Sequence, residues 1–121
     1  MVEKKKTTFY LTSELRALMH FLMQREDLPK INFLRRAFRM FIEGSHYIDE
    51  RVLITKRTDP LYIKRDVCEG LYIDIDQYEA LEKIAEEKNC KVAHVIFQAL
   101  VDYCSVLANN SDGIVVCEVN K

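Results

Sequence analysis

The sequence repeats itself at a distance of 62 residues, and this repeat restricts the fold more than any other feature. Residues 8–44 align with residues 70–106 without a gap, and apolar positions coincide with apolar positions throughout. The matched positions include Phe9 and Leu71, Leu11 and Ile73, Leu22 and Ile84, and Leu34 and Ile96. Self-similarity at a fixed spacing indicates a repeated structural unit, so we expect two copies of one small motif.

Each copy begins with a short run in which two kinds of position alternate. In the first copy one face holds Thr7, Phe9 and Leu11, and the other holds Lys6, Thr8 and Tyr10. In the second copy one face holds Leu71, Ile73 and, in one register, Ile75, and the other holds Gly70, Tyr72 and Asp74. A period of two predicts a strand with one buried face.

Two helices are expected after each strand. The apolar spacing predicts first helices over 13–26 and 76–88, and second helices over 30–43 and 91–108. Thr12 or Ser13 would cap the first copy. In the second copy Asp74 with Gln77, or Asp76 with Glu79, would form a capping box. Chain breaks are expected at 27–29 and at 89–90, and the second helices are apolar on most sides, which places them in a core.

The two copies need each other. A single strand leaves its backbone hydrogen bonds unsatisfied, and a unit of about 40 residues is too small to fold alone. We therefore expect the two strands to pair antiparallel over four helices within one chain. Pairing between two chains is the alternative.

Strand, helix and buried helix in this order resemble the ribbon-helix-helix (MetJ/Arc-type) family of DNA-binding proteins, over residues 6–42 and 70–103. The resemblance implies a mostly α fold with a short β-ribbon, built as a tandem single-chain pseudo-dimer. The expected units are the first ribbon-helix-helix unit (1–44), a connector (45–67), the second unit (68–110) and a C-terminal tail (111–121).

The connector and the tail are candidates for additional β-structure. Runs 51–56 and 61–64 resemble strands and flank a turn signal at 58–60. The tail segment 113–119 also resembles a strand.

The resemblance also implies which residues would touch DNA. Outward side chains of the ribbon would contact base edges, namely Lys6, Thr8, Tyr10 and Tyr72. Phosphate contacts would come from Lys4 and Lys5 and from the start of the second helix at Lys30, Ile31 and Asn32. The second copy offers a weaker set, with Cys68 and Gly70 on the ribbon and 92–94 at the helix start.

Tyr10 and Tyr72 are equally interpretable as a cross-strand packing pair. Arg35, Arg36 and Arg39 are favoured as an exposed stripe.

Charge is distributed unevenly along the chain. Residues 1–66 hold 14 Lys and Arg against 9 Asp and Glu, a net charge of +5, whereas residues 67–121 hold 4 against 10, a net charge of −6. We therefore expect a polyanion-binding surface on the first half only.

Other classes of function find little support in the sequence. The four cysteines form no C-x-x-C pair and are expected to be reduced thiols. Cys90 and His94 lie one helical turn apart, but no second ligand pair accompanies them, so no metal and no cofactor are expected. With three glycines and no nucleophile motif, no catalytic residue or enzyme activity is expected. No signal core and no stretch of bilayer length are expected, so the prediction is a cytoplasmic location without a membrane.

The expected function is sequence-specific binding of double-stranded DNA. A transcriptional repressor or a plasmid- or conjugation-type accessory factor would act in this way, either as a monomeric pseudo-dimer or as a higher assembly on DNA. The alternative is a protein-interaction module of the same fold, antitoxin-like or adaptor-like, with a protein partner and weak or lost DNA binding.

Overall fold

A computed structural model describes residues 3–109 as an α+β fold, in which a two-stranded antiparallel sheet is combined with five helices. In chain order the elements are β1 (Lys4–Leu11), α1 (Ser13–Arg25), α2 (Lys30–Glu43), α3 (Glu50–Leu53), β2 (Val67–Asp74), α4 (Ile75–Glu87) and α5 (Val92–Asn109). The order strand, helix, helix thus occurs twice, with the short α3 between the copies. The four long helices begin and end within one residue of the predicted positions.

The strands pair in a register that reproduces the sequence repeat. Thr8 lies opposite Gly70, which is its counterpart in the repeat. Lys6 pairs with Tyr72 across the sheet. The counterparts of these two residues in the repeat are Cys68 and Tyr10, and they also pair with each other. An approximate twofold axis therefore passes between Thr8 and Gly70. The predicted antiparallel pairing within one chain is confirmed, and β2 ends at Asp74, so the register that continued to Ile75 is wrong.

One face of the sheet is buried. Phe9, Leu11, Leu71 and Ile73 are each at most 4% exposed and lie in one apolar core with the helices. Helix α5 occupies the middle of this core, because it contacts each of the four other helices and β1. Its buried residues extend from His94 to Cys104. The prediction that this helix belongs to the core is confirmed.

The turns between paired helices share one geometry. Asp27 and Asn89, which are counterparts in the repeat, both have positive φ, at 55° and 56°. Beyond them the amide of Leu28 donates to Met23 O and that of Cys90 to Ala85 O, each at 2.9 Å. This is the Schellman ending of a helix, and Asp and Asn tolerate its left-handed residue better than most side chains do. The predicted chain breaks are confirmed.

The caps of α1 and α4 differ. The side chain of Thr12 accepts a hydrogen bond from Leu15 N at 2.9 Å and so caps α1. Asp74 occupies the corresponding position before α4, but its side chain makes no cap hydrogen bond. The predicted capping box of Asp74 with Gln77 is wrong, because Gln77 donates to Arg35 O and Arg35 binds the Asp74 carboxylate.

The connector contains no strand over residues 45–66, contrary to the prediction. It forms α3 instead, with Asp49 as its capping residue and Val52 buried against the core. Ile48, just before the capping residue, and Val52, within α3, are both buried in the core. The turn signal is confirmed, since Asp59 accepts from the amide of Leu61 and Tyr62 N donates to Asp59 O. The predicted tail strand at 113–119 lies outside the described residues.

Helix α5 is long and apolar enough to cross a membrane by length and composition, which corrects the expectation that no stretch reaches this length. Nine of its residues are buried among the other elements. The core helix of a soluble protein satisfies the same criterion, so this is weak evidence for a membrane span.

Candidate nucleic-acid interface

The outer face of the sheet is the surface on which the predicted base-contacting residues meet. Four residues alternate outward on β1, namely Lys4, Lys6, Thr8 and Tyr10, and all are exposed. Cys68, Gly70 and Tyr72 are exposed on β2 beside them. The two tyrosines expose 56% and 53% of their surface. We call these seven residues the outer face.

Tyr10 and Tyr72 are not a cross-strand pair. Tyr10 lies opposite Cys68, and Tyr72 lies opposite Lys6, so the two rings stand on opposite sides of the twofold axis. The Nζ of Lys6 is 5.8 Å from the centroid of the Tyr72 ring. The packing interpretation of the tyrosines is therefore wrong, and each ring faces outward on its own half of the ribbon.

Lys5 lies apart from the outer face. Alternation turns its side chain to the opposite side of β1, where its Nζ is 4.6 Å from the centroid of the Tyr78 ring. Lys4, by contrast, lies on the outer face at the end of the strand, opposite Asp74. Of Lys4 and Lys5, which were both predicted to contact phosphate, only Lys4 shares a surface with Lys6 and Thr8.

The start of α2 is occupied by contacts within the protein. Lys30 Nζ forms an ion pair with Glu69 and donates to Gly70 O at 2.8 Å. The amide of Asn32 donates to Pro29 O at 3.0 Å, so this amide is not free for a phosphate. Ile31 is part-buried in the first turn, where amides lack a partner inside the helix. Two parts of the predicted clamp, the amide of Asn32 and the charge of Lys30, are therefore already bound within the protein.

Glu69 was not among the residues predicted for the site. It lies on the inner side of β2, is only 6% exposed and is surrounded by basic side chains. Arg16 Nε lies 3.0 Å and His20 Nε2 lies 3.5 Å from its carboxylate oxygens, and Lys30 pairs with it. Burial raises the pKa of Glu69, but Lys30 and His20 outweigh burial and hold this pKa below its usual range. The sequence contained one signal for this site, namely a charged residue at a position that the alternation of β2 turns inward.

A second ion pair joins α2 to the end of β2. Arg35 Nε lies 2.8 Å from one carboxylate oxygen of Asp74, and its Nη2 lies 3.2 Å from the other. The Asp74 hydrogen bond raises the pKa of the Arg35 guanidinium. Arg36 and Arg39 are exposed, as the stripe interpretation predicted, whereas Arg35 is committed to Asp74.

No protein-family model, curated protein or solved structure matches the chain. Within residues 3–109 no group of three or more metal-binding side chains lies together. Over the same range the free cysteines are Cys68, Cys90 and Cys104, of which only Cys68 is exposed. The function is therefore inferred from the residues of the outer face and their surroundings.

Proposed function

We propose that the chain is a sequence-specific DNA-binding protein that inserts its two-stranded sheet into the major groove. Its two strand-helix-helix copies would form a tandem ribbon-helix-helix pseudo-dimer. Blocking a promoter as a repressor is the simplest role, and a plasmid- or conjugation-type accessory factor would bind DNA in the same way. A cytoplasmic location belongs to this proposal.

The exposed chemistry of the outer face carries the proposal. A major groove accepts a two-stranded ribbon, and bases present donors, acceptors and thymine methyl groups there. Lys6 can donate to guanine, Thr8 can donate, accept or meet a methyl group, and Tyr10 can hydrogen-bond a base or a phosphate. The inner face is buried, so the outward side chains are held on a supported strand.

A protein-interaction module of the same fold is the second candidate. Its support is the outer face of β2, where Cys68, Gly70 and Tyr72 supply no positive charge. The net charge of −6 in residues 67–121 points the same way. Such a module would bind a protein partner, as an antitoxin or adaptor does, with little affinity for DNA.

Alanine substitution on the outer face tests the choice between these functions. Lys6→Ala and Tyr10→Ala should each weaken binding to a duplex selected from a random pool by about tenfold, since one good base contact is worth roughly 1–3 kcal/mol. Fluorescence anisotropy over a range of KCl concentrations measures the affinity and its salt dependence.

Two variants serve as matched controls. Lys83→Ala removes an exposed lysine of α4, and Tyr47→Ala removes a tyrosine that is 61% exposed in the connector. Neither residue lies on the outer face, so both variants should bind as the wild type does. A wild-type chain without salt-sensitive duplex binding that instead co-purifies with a protein would favour the interaction module.

A further inference from the structure

A groove of about 440 Å³ lies beside the outer face, between β1, the connector and the start of α5. Thr8 and Tyr10 form its border on the sheet. Three basic residues line it, namely Arg57, Arg65 and Lys91. We call this the α5 groove. Because it shares Thr8 and Tyr10 with the outer face, a duplex seated on the sheet would bring a backbone strand next to it.

The connector is fixed to the core at this groove. Arg65 Nη1 donates to Val52 O at 3.1 Å, and the Arg65 guanidinium lies 5.3 Å from the centroid of the Phe97 ring. The amide of Asp49 donates to the side chain of Gln98 at 2.9 Å. These contacts join the connector to α5 on both sides of α3, so the basic residues are presented by an ordered segment.

The charged residues that line the groove are all basic. No carboxylate belongs to its lining among residues 3–109, and Arg57 and Lys91 form no ion pair within that range. His94 is buried at the base of the groove and accepts a hydrogen bond from the amide of Lys91. Burial lowers the pKa of His94, and the charges of Arg65 and Lys91 lower it further.

The corresponding flank at the start of α2 lacks this free charge. Lys30 is paired with Glu69, and Arg35 is paired with Asp74. Cations already paired with carboxylates attract a phosphate less than unpaired ones do. The two flanks are therefore unequal, and the one with more unpaired basic residues lies beside the start of α5.

We propose that the α5 groove binds a backbone phosphate of the DNA duplex, and that Arg57 and Lys91 are its principal charged contacts. This inference rests on the proposed function. It adds the side chains of Arg57 and Lys91 to the backbone amides at the start of α5. The groove would extend the expected polyanion-binding surface of residues 1–66 to Lys91, which belongs to the acidic half of the sequence.

A pair of double variants with equal charge tests the inference. The test variant is Arg57→Gln with Lys91→Gln. The control is Lys56→Gln with Lys88→Gln, which removes two exposed lysines that do not line the groove. Affinity for a random-sequence duplex is measured between about 50 and about 200 mM KCl, and the urea midpoint of each variant establishes that it is folded.

The test variant should bind about tenfold more weakly at the lower salt concentration. Its log–log salt dependence should fall by about 0.9 for each phosphate that the protein no longer neutralises, whereas the control should keep nearly the wild-type slope. Equal slopes in the two double variants, with wild-type binding intact, would overturn the inference but leave the proposed function standing. A wild-type chain that binds no duplex would overturn both.

Free phosphate compounds are the other source of the same chemistry. Inorganic phosphate and ATP are therefore titrated by calorimetry against the wild type and both double variants. Weak binding of either compound agrees with a site for a DNA phosphate. Tight ATP binding that depends on Arg57 and Lys91, together with unchanged duplex affinity, would assign the groove to a small ligand and overturn the inference.

Discussion

Glu69 gives the two halves of the chain a different charge at equivalent inward positions. Its counterpart in the repeat is Thr7, a neutral residue at the same inward place on β1. A carboxylate is stable at such a buried place only when it is paired, and Arg16, His20 and Lys30 provide the partners. The pairing ties α1 and the start of α2 to β2. It also leaves Lys30 paired within the protein.

Glu69→Gln should reduce the free energy of unfolding by about 1–3 kcal/mol at neutral pH, because it replaces a charged carboxylate between basic side chains by a neutral amide with one acceptor oxygen. The pKa of Glu69 is lowered in the folded state. Its stabilisation is therefore present above the unfolded pKa of about 4.3 and is lost as the pH falls through the lower folded value. Urea unfolding at several pH values measures this difference between variant and wild type.

The variant should also bind duplex DNA more tightly than the wild type, since Lys30 is released from its ion pair. A variant as stable as the wild type at neutral pH would contradict the structural role of Glu69. Unchanged duplex affinity would contradict the view that this carboxylate withholds a cation from DNA.

At the scale of elements, the sequence predicts whatever depends on local spacing. The strands, the long helices and the breaks at Asp27 and Asn89 follow from periodicity and turn residues within a few positions. The connector forms a short helix where strands were predicted, because branched apolar residues occur in both strands and short helices. Its fold depends on burial of Ile48 and Val52 against residues distant in sequence, which spacing within the connector does not show.

The candidate site was predictable only in part for the same reason. Alternation along β1 was enough to place Lys6, Thr8 and Tyr10 outward. The partners of Lys30 and the separation of Tyr10 from Tyr72 depend on the register between strands far apart in sequence. The groove at α5 depends on the path of the connector.

Gly70 offers a test of β2 as an element. A β-carbon added there would meet nothing within 4 Å, and the position faces outward opposite Thr8. Gly70→Thr should therefore raise the free energy of unfolding by about 0.5–1 kcal/mol, because glycine is costly and threonine is favourable in a strand. Urea unfolding measures the change.

Gly44→Thr is the contrasting variant, since a β-carbon there would lie 3.0 Å from Met40 O, and it should lower stability. A loss of stability in Gly70→Thr would argue against the register that sets Gly70 opposite Thr8.

At the scale of the whole molecule, the two halves are related in backbone but not in surface chemistry. Across the twofold axis Lys6 corresponds to Cys68, and Thr8 to Gly70. A homodimer would present the same side chains on both strands and would match a palindromic site. This chain presents different ones.

We therefore predict that the free protein sediments as a single chain of 14.3 kDa and selects a DNA site without dyad symmetry. Sedimentation velocity measures the mass, and selection from a random duplex pool followed by sequencing gives the site. A mass twice as large, or a palindromic consensus, would show that two chains combine to make the reading surface.

The pairing of β1 with β2 inside one polypeptide also determines how the folded population depends on protein concentration. When a ribbon is shared between two chains, the folded species must be assembled by bimolecular encounter, and its population falls on dilution. Here the encounter is intramolecular, so the amount of folded protein rises in simple proportion to the amount synthesised. Even a few copies per cell would be folded, and, if the protein binds DNA as proposed, occupancy of its site would rise with protein level without a threshold set by dimerisation.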